Sequence, residues 1–94
     1  MFDAKIGNNG EIVLSGRFDA SQVDKAQNIF NSIIKSCIVN FKDLEYISSA
    51  GLGVLLMTQK RLNESGHSLK LINMNKYIRD IFDLSGFSMI FEIE

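Results

Sequence analysis

Ser48-Ser49-Ala50-Gly51-Leu52-Gly53-Val54-Leu55 is the stretch on which the reading of this chain turns. Two hydroxyl residues stand where a loop enters a helix, and two glycines follow within its first turns. Leu52, Leu55, Leu56, Gln59 and Leu62 then recur at three- and four-residue steps, which sets them on one helical face. Gly66 follows in the position that favours a left-handed C-cap. A glycine inside a helix costs roughly 1 kcal/mol relative to alanine. Two of them near a helix start point to backbone that must lie close to something, either a neighbouring element or the surface of a partner.

Outward from this helix, strands and helices alternate. Cys37–Phe41 is a short, mostly apolar run of the kind found in strands covered on both faces. Leu69, Leu71 and Ile72 form a strand after the helix. Ile78, Ile81, Phe82 and Leu84 give another helical stripe, ended by Gly86, and Ile90–Ile93 reads as a last short strand. On the N-terminal side, Val23, Ala26, Phe30, Ile33 and Ile34 predict a helix from about Gln22 to Lys35, with Asp19 or Ser21 as its N-cap. Glu11–Ser15 reads as a strand broken by Gly16. Asn8-Asn9-Gly10 signals a hairpin turn back to a first strand over Met1–Ile6. The expectation is an α/β fold: a mixed sheet of about five strands, the first antiparallel and the rest parallel, with helices packed against it. In open sheets of this kind ligands and partners meet the carboxyl ends of the parallel strands, here the loop expected from Lys42 to Ala50.

Bulk properties narrow the function. At 94 residues without a composition shift or repeat, the chain reads as one domain over 1–94. Its formal net charge of −1 and the lack of basic clusters argue against nucleic acid as a partner. The Lys60–Arg61 pair fits the exposed side of a helix. No basic membrane-surface patch is present, and the longest apolar stretch, Val54–Met57, is far short of a bilayer span, so no membrane insertion is expected. Met1–Gly10 does not read as a secretory signal. Cys37, the lone cysteine, excludes an internal disulfide and agrees with a reducing compartment. The expected location is cytoplasmic.

The serines have two compatible readings. Ser48 and Ser49 can cap the helix by accepting from free backbone N–H groups. A hydroxyl at a helix N-terminus can also carry a phosphate, because the N–H groups and the dipole favour negative charge there. That phosphate would bring about −1.5 to −2 charge to the surface and could expel a docked partner. Catalysis is not expected: a nucleophilic serine needs a base, and His67, beyond Gly66, falls roughly 20 Å away at about 1.5 Å of helix per residue. It reads as a surface turn residue. Cys37 begins an apolar strand and reads as a buried structural residue. Asp43 and Glu45 read as a solvated loop. No metal cluster, phosphate loop or dinucleotide fingerprint is present, so no metal and no cofactor is expected.

Three stretches together resemble the STAS domain family, shared by sulfate-transporter cytosolic tails and anti-sigma-factor antagonists. Ile12-Val13-Leu14-Ser15-Gly16-Arg17-Phe18-Asp19 is similar to the family's strand and Gly-Glu-Leu-Asp turn. Val39-Asn40-Phe41 through Leu44 and Ile47, then Ser48 to Leu55, is similar to its Asp-Ser-Ser-Gly-Leu-Gly stretch. Ile81-Phe82-Asp83-Leu84-Ser85-Gly86-Phe87 is similar to its Phe-Asp-x-Ser-Gly-Leu run. The resemblance implies an anti-sigma factor antagonist, not an enzyme, that binds an anti-sigma factor with serine kinase activity and is released when its own serine is phosphorylated. It implies no cofactor, and contact residues at Asp19, Ser48, Ser49, Ala50, Gly51, Leu52 and Gly53. The chain is expected to be a monomer or weak dimer.

One departure matters. The family's phosphoacceptor stands directly before the glycine, where this chain has Ala50; Ser48 falls on the family's aspartate and Ser49 on its first serine. In members with hydroxyl-Ala-Gly, among them lipid-transport STAS subunits, the hydroxyl aligns with Ser49. Ser49 is therefore the first candidate for phosphorylation and Ser48 the second. The alternative that Ala50 raises is a constitutive interaction subunit of a membrane transporter, without phosphorylation.

Overall fold

The computed structural model describes residues 2–7 and 9–94. Met1 and Asn8, assigned above to the first strand and its turn, lie outside the described residues. The elements run β1 (Asp3–Ile6), β2 (Ile12–Phe18), a 3-10 turn (Ala20–Gln22), α1 (Val23–Phe30), β3 (Cys37–Ile47), α2 (Ser49–Glu64), β4 (Leu69–Ile72), α3 (Lys76–Ser85), a 3-10 turn (Phe87–Met89) and β5 (Glu92–Ile93). The strands stand in the sheet in chain order. β1 is antiparallel to β2, with Asp3 opposite Ser15, and the remaining pairs are parallel. The α/β mixed sheet expected from the sequence is the sheet observed.

Parallel strands in chain order, joined by right-handed crossovers, carry α1, α2 and α3 to one face. Ile12, Leu14 and Phe18 of β2, Val39 and Phe41 of β3, and Leu69 and Leu71 of β4 share one buried cluster with Ala26, Phe30, Leu55, Leu62, Ile78 and Phe82 of the helices. Each such large side chain contributes about 1.5–3 kcal/mol when buried. Phe2 stacks on Phe18 at 4.6 Å, and Phe82 meets Phe41 edge-on at 6.1 Å. On the other face, Ser15 is half-buried, and Arg17 and Asp43 are exposed.

Several boundaries differ from the sequence reading, for physical reasons. Gly16 does not end β2; it adopts φ +80° within the strand, and the strand continues to Phe18. Nor does β3 stop at Phe41. Its register against β2 slips between Val13 and Ser15 and again between Gly16 and Arg17. Each slip is a bulge that reverses the side-chain parity. Lys42 and Asp43 are therefore both exposed in succession while Leu44 and Ile47 are buried, and no alternation advertises a strand. The expected loop from Lys42 to Ala50 shrinks to Ser48, and Asp43 and Glu45 are exposed strand residues rather than loop residues.

α1 ends at Phe30, not near Lys35. Ile33 is half-buried and Ile34 is 77% exposed. Arg61 does not simply line the outside of α2. Its guanidinium donates to the carbonyls of Ile33 at 2.7 Å and Phe30 at 2.9 Å, placing positive charge at the C-terminal end of α1, where the dipole favours it. Leu84 is 89% exposed and outside the α3 stripe, which Ile78 and Phe82 carry. Cys37 is half-buried rather than buried. Gly66 and Gly86 stop α2 and α3 in the left-handed region, at φ +80° and +81°, as expected. Among the described residues no helix is long and apolar enough to cross a membrane.

Candidate functional site

The site forms where β2 and β3 end side by side. Phe18 pairs with Ile47 across the two strands. The next residue after Ile47, Ser48, donates its N–H to the Phe18 carbonyl at 2.9 Å. Its backbone is extended, at φ −91° and ψ 171°. From that N-cap position its Oγ accepts from the Gly51 N–H at 3.2 Å, and its carbonyl accepts from Leu52 N–H at 2.9 Å. Ser48 is thus tied at backbone and side chain. Ser49 is the first helical residue and exposed. Among the described residues nothing hydrogen-bonds its hydroxyl.

The two glycines have different reasons. A Cβ on Gly51 would meet Ile47 Cγ1 at 2.9 Å and Phe18 at 3.1 Å, so this glycine lets α2 lie directly on the strand ends. A Cβ on Gly53 would meet nothing within 4 Å. Leu52 is 7% exposed and faces the core with Gly51. Of the residues that the sequence brings forward, Ser49 is exposed, and Asp19, Ser48, Ala50 and Gly53 are half-buried; Gly51 and Leu52 turn inward.

Asp19 follows Phe18 and so lies beside the start of α2. Its Oδ1 accepts from Ser21 N–H at 3.0 Å and from the Ser21 hydroxyl at 2.5 Å, capping the 3-10 turn. Both bonds fall on one oxygen. Capping is therefore the role the geometry displays, and the carboxylate's second oxygen is left over among the described residues.

The sequence gives no role to four neighbours at this end. Arg17, paired with Tyr46 across the strands, holds its guanidinium 4.4 Å from the Tyr46 ring centroid. Tyr46 in turn stacks on Tyr77 of α3, with centroids 6.3 Å apart. Asn75 caps α3 by accepting from Ile78 N–H at 2.8 Å and donates to the Leu44 carbonyl at 3.2 Å, fixing α3 to β3. The sequence puts Arg17 in the turn expected after Gly16, and nothing in it joins Arg17 to residue 46.

The chemistry available at this end is one accessible hydroxyl, that of Ser49, at a helix N-terminus. The chain's one histidine, His67, is at the far end of α2, its N–H donating to the Leu62 carbonyl at 2.9 Å and its ring 3.4 Å from Ser36 Oγ. Among the described residues no group of three or more His, Cys, Asp or Glu is placed to hold a metal ion. A surface cavity of about 610 Å³ lies at the opposite, amino end of the parallel strands, lined by Lys35, Cys37, Ser68 and Lys70 among others. Burial pushes the Cys37 thiol up from its usual range, which suppresses the reactive thiolate.

The sequence profile of the STAS domain matches residues 4–94. BtrV of Bordetella bronchiseptica, named as a candidate anti-sigma factor antagonist, is 35% identical over 74 residues, 79% of this chain and 58% of that protein. The anti-sigma-B factor antagonist of Bacillus subtilis is 40% identical over 52 residues, 55% of this chain and 48% of its own length. This chain thus spans only about half the length of these two relatives. Among solved structures, an anti-sigma factor antagonist from Mycobacterium paratuberculosis superposes with a TM-score of 0.82 at 14% identity, covering 99% of this chain and 83% of that one. The Bacillus cell-fate determinant SpoIIAA in its phosphorylated form superposes with 0.71 at 21% identity, covering 100% and 91%. Strand order, the glycine-spaced start of α2 and a profile match over nearly the whole sequence agree: the chain belongs to the STAS domain family.

Proposed function

We propose that this chain is an anti-sigma factor antagonist, acting in the cytoplasm as a monomer or weak dimer, that binds an anti-sigma factor with serine kinase activity and is released by phosphorylation of Ser49. The observation that carries this reading is the division of labour between the two serines. Ser48 spends its hydroxyl on the Gly51 N–H and its own N–H on Phe18. Ser49 presents an exposed hydroxyl at the first position of α2. A phosphate there meets the positive end of the helix dipole, so the fold tolerates it. On the docking surface it adds charge that a partner must desolvate or repel. Asp19, Ala50 and Gly53 border Ser49 and complete the contact area; Gly51 and Leu52 act by setting the helix on Phe18 and Ile47.

The test is to recover the tagged protein from its native cells and identify bound proteins and modified residues by mass spectrometry. Phosphate on Ser49, absent in Ser49→Ala, together with an anti-sigma kinase in the eluate, is the expected result. Phosphate on Ser48 alone would move the site, and the anti-sigma partner without phosphate anywhere would remove the switch. One observation favours a second reading: residue 50 is alanine, at the position to which the resemblance assigns the family's phosphoacceptor. On that reading the chain is a fixed subunit of a membrane transporter, and transporter proteins with unmodified Ser49 would be recovered instead.

A further inference from the structure

We infer that Arg17, stacked on Tyr46, which in turn stacks on Tyr77, is a second anchor for the partner and takes a carboxylate side chain from it. The inference rests on the reading above, since the partner is the anti-sigma factor. The guanidinium sits 4.4 Å from the Tyr46 centroid, and Tyr46 lies 24° from coplanar with Tyr77. Lys5, Lys25, Lys70, Lys76 and Arg79 each have a carboxylate within 4 Å, and Arg61 is bound to two carbonyls. Among the described residues Arg17, like Lys35, Lys42 and Lys60, has neither, and unlike those lysines it is held in place by an aromatic ring. A fixed guanidinium with its N–H fork unused is preorganised for the planar, two-bond recognition of a carboxylate.

The backbone is shaped to build this stack. Leu44 and Tyr46 are two residues apart and would share a face in a regular strand. Leu44 is 2% exposed in the core. The slip in register, with Gly16 opposite Leu44 and Arg17 opposite Tyr46, turns Tyr46 to the other face, beside Arg17. Tyr77 is left 55% exposed. The stack runs from Arg17 on β2 through Tyr46 on β3 to Tyr77 in the first turn of α3, and Arg17 stands one residue before Phe18, whose carbonyl holds Ser48. Its Arg17 end therefore lies next to the strand end that carries Ser48.

Charge decides the kind of occupant. Asp43 and Glu45 are exposed on the same strand as Tyr46, and the whole chain carries a net charge of −1. A nucleic acid or an anionic membrane would bring many negative charges past these carboxylates, whereas a single carboxylate on a protein surface brings one and matches the one guanidinium fork.

The test measures the affinity of the purified anti-sigma factor recovered with this protein for the wild type and for Arg17→Ala, Arg17→Glu, Arg17→Lys and Ser49→Asp, at low and high salt. Arg17→Ala is expected to weaken binding at least tenfold and to flatten its salt dependence. Arg17→Glu should weaken it further, Arg17→Lys should retain part of it, and an acid-to-arginine change in the partner should restore Arg17→Glu. If Arg17→Ala binds within twofold of wild type while Ser49→Asp does not bind, the inference fails and the proposed function stands. If Arg17→Ala and Arg17→Glu are equally weakened and salt has no effect, the stack works by packing alone and the inference also fails. Heparin binding lost in Arg17→Ala, with the anti-sigma factor unaffected, would make the occupant a polyanion. Absence of any complex with an anti-sigma factor overturns the proposed function and this inference together.

Discussion

Two glycines two residues apart, Gly51 and Gly53, show how position decides the meaning of a residue. Both carry the same propensity penalty in a helix. Only Gly51 is required by packing inside the molecule, because a methyl group there would press on Ile47 Cγ1 at 2.9 Å and on the Phe18 carbonyl at 3.1 Å. Neither the strand-end backbone nor a fully buried Phe18 can give way cheaply. Gly51→Ala is expected to lower stability by about 1–3 kcal/mol, the usual cost of overpacking. Gly53→Ala, with open space around its Cβ, is expected to raise it by about 1 kcal/mol. Urea denaturation of the two variants checks the pair: equal signs would mean that the contacts around Gly51 relax without cost.

At the scale of elements, α1 is eight residues long, too short to stand without tertiary support. Its C-terminal carbonyls are held from a distance in sequence, by Arg61 of α2. Arg61→Met, which keeps most of the apolar stem, should cost about 1–3 kcal/mol, the loss of charge-assisted bonds to half-buried carbonyls. The effect should be local first. Amide exchange at Asn31, whose N–H donates to Gln27 at 2.8 Å, and at Ile33, whose N–H donates to Phe30 at 3.1 Å, should speed up more than exchange in β2. Uniform acceleration would instead mean that Arg61 acts only through global stability. This contact also explains what was legible in the sequence. The order of elements and the glycine stops of α2 and α3 were readable, because periodicity and left-handed caps are local signals. The end of α1 was not, because Arg61 supplies it from 28 residues beyond Ile33. The length of β3 was hidden for a related reason: two bulges erase the alternation that marks a strand. At the site, Ser48 as cap and Ser49 beside it could be read from the motif. The Arg17–Tyr46–Tyr77 stack could not, since it depends on register.

For the whole molecule, the proposed switch makes stability and binding move apart. α2 has no acidic residue in its first turn, so its N-terminal dipole is uncompensated. Ser49→Asp places a carboxylate at the first helical position, where an acid is worth about 0.3–1 kcal/mol. Nothing hydrogen-bonds the Ser49 hydroxyl among the described residues, so its removal leaves no group unpaired. The variant is expected to unfold at the same or a slightly higher urea concentration than the wild type, with an unchanged circular dichroism spectrum. Binding to the anti-sigma factor should fall sharply, because the same charge must be desolvated at the interface. Ser48→Asp is the companion variant. Aspartate is also a good N-cap, and it occupies the tied position rather than the exposed one, so it should preserve both fold and binding. A change in binding that tracked a change in stability, or a loss in Ser48→Asp equal to that in Ser49→Asp, would mean that the start of α2 responds to disruption of the helix and not to charge presented on its surface.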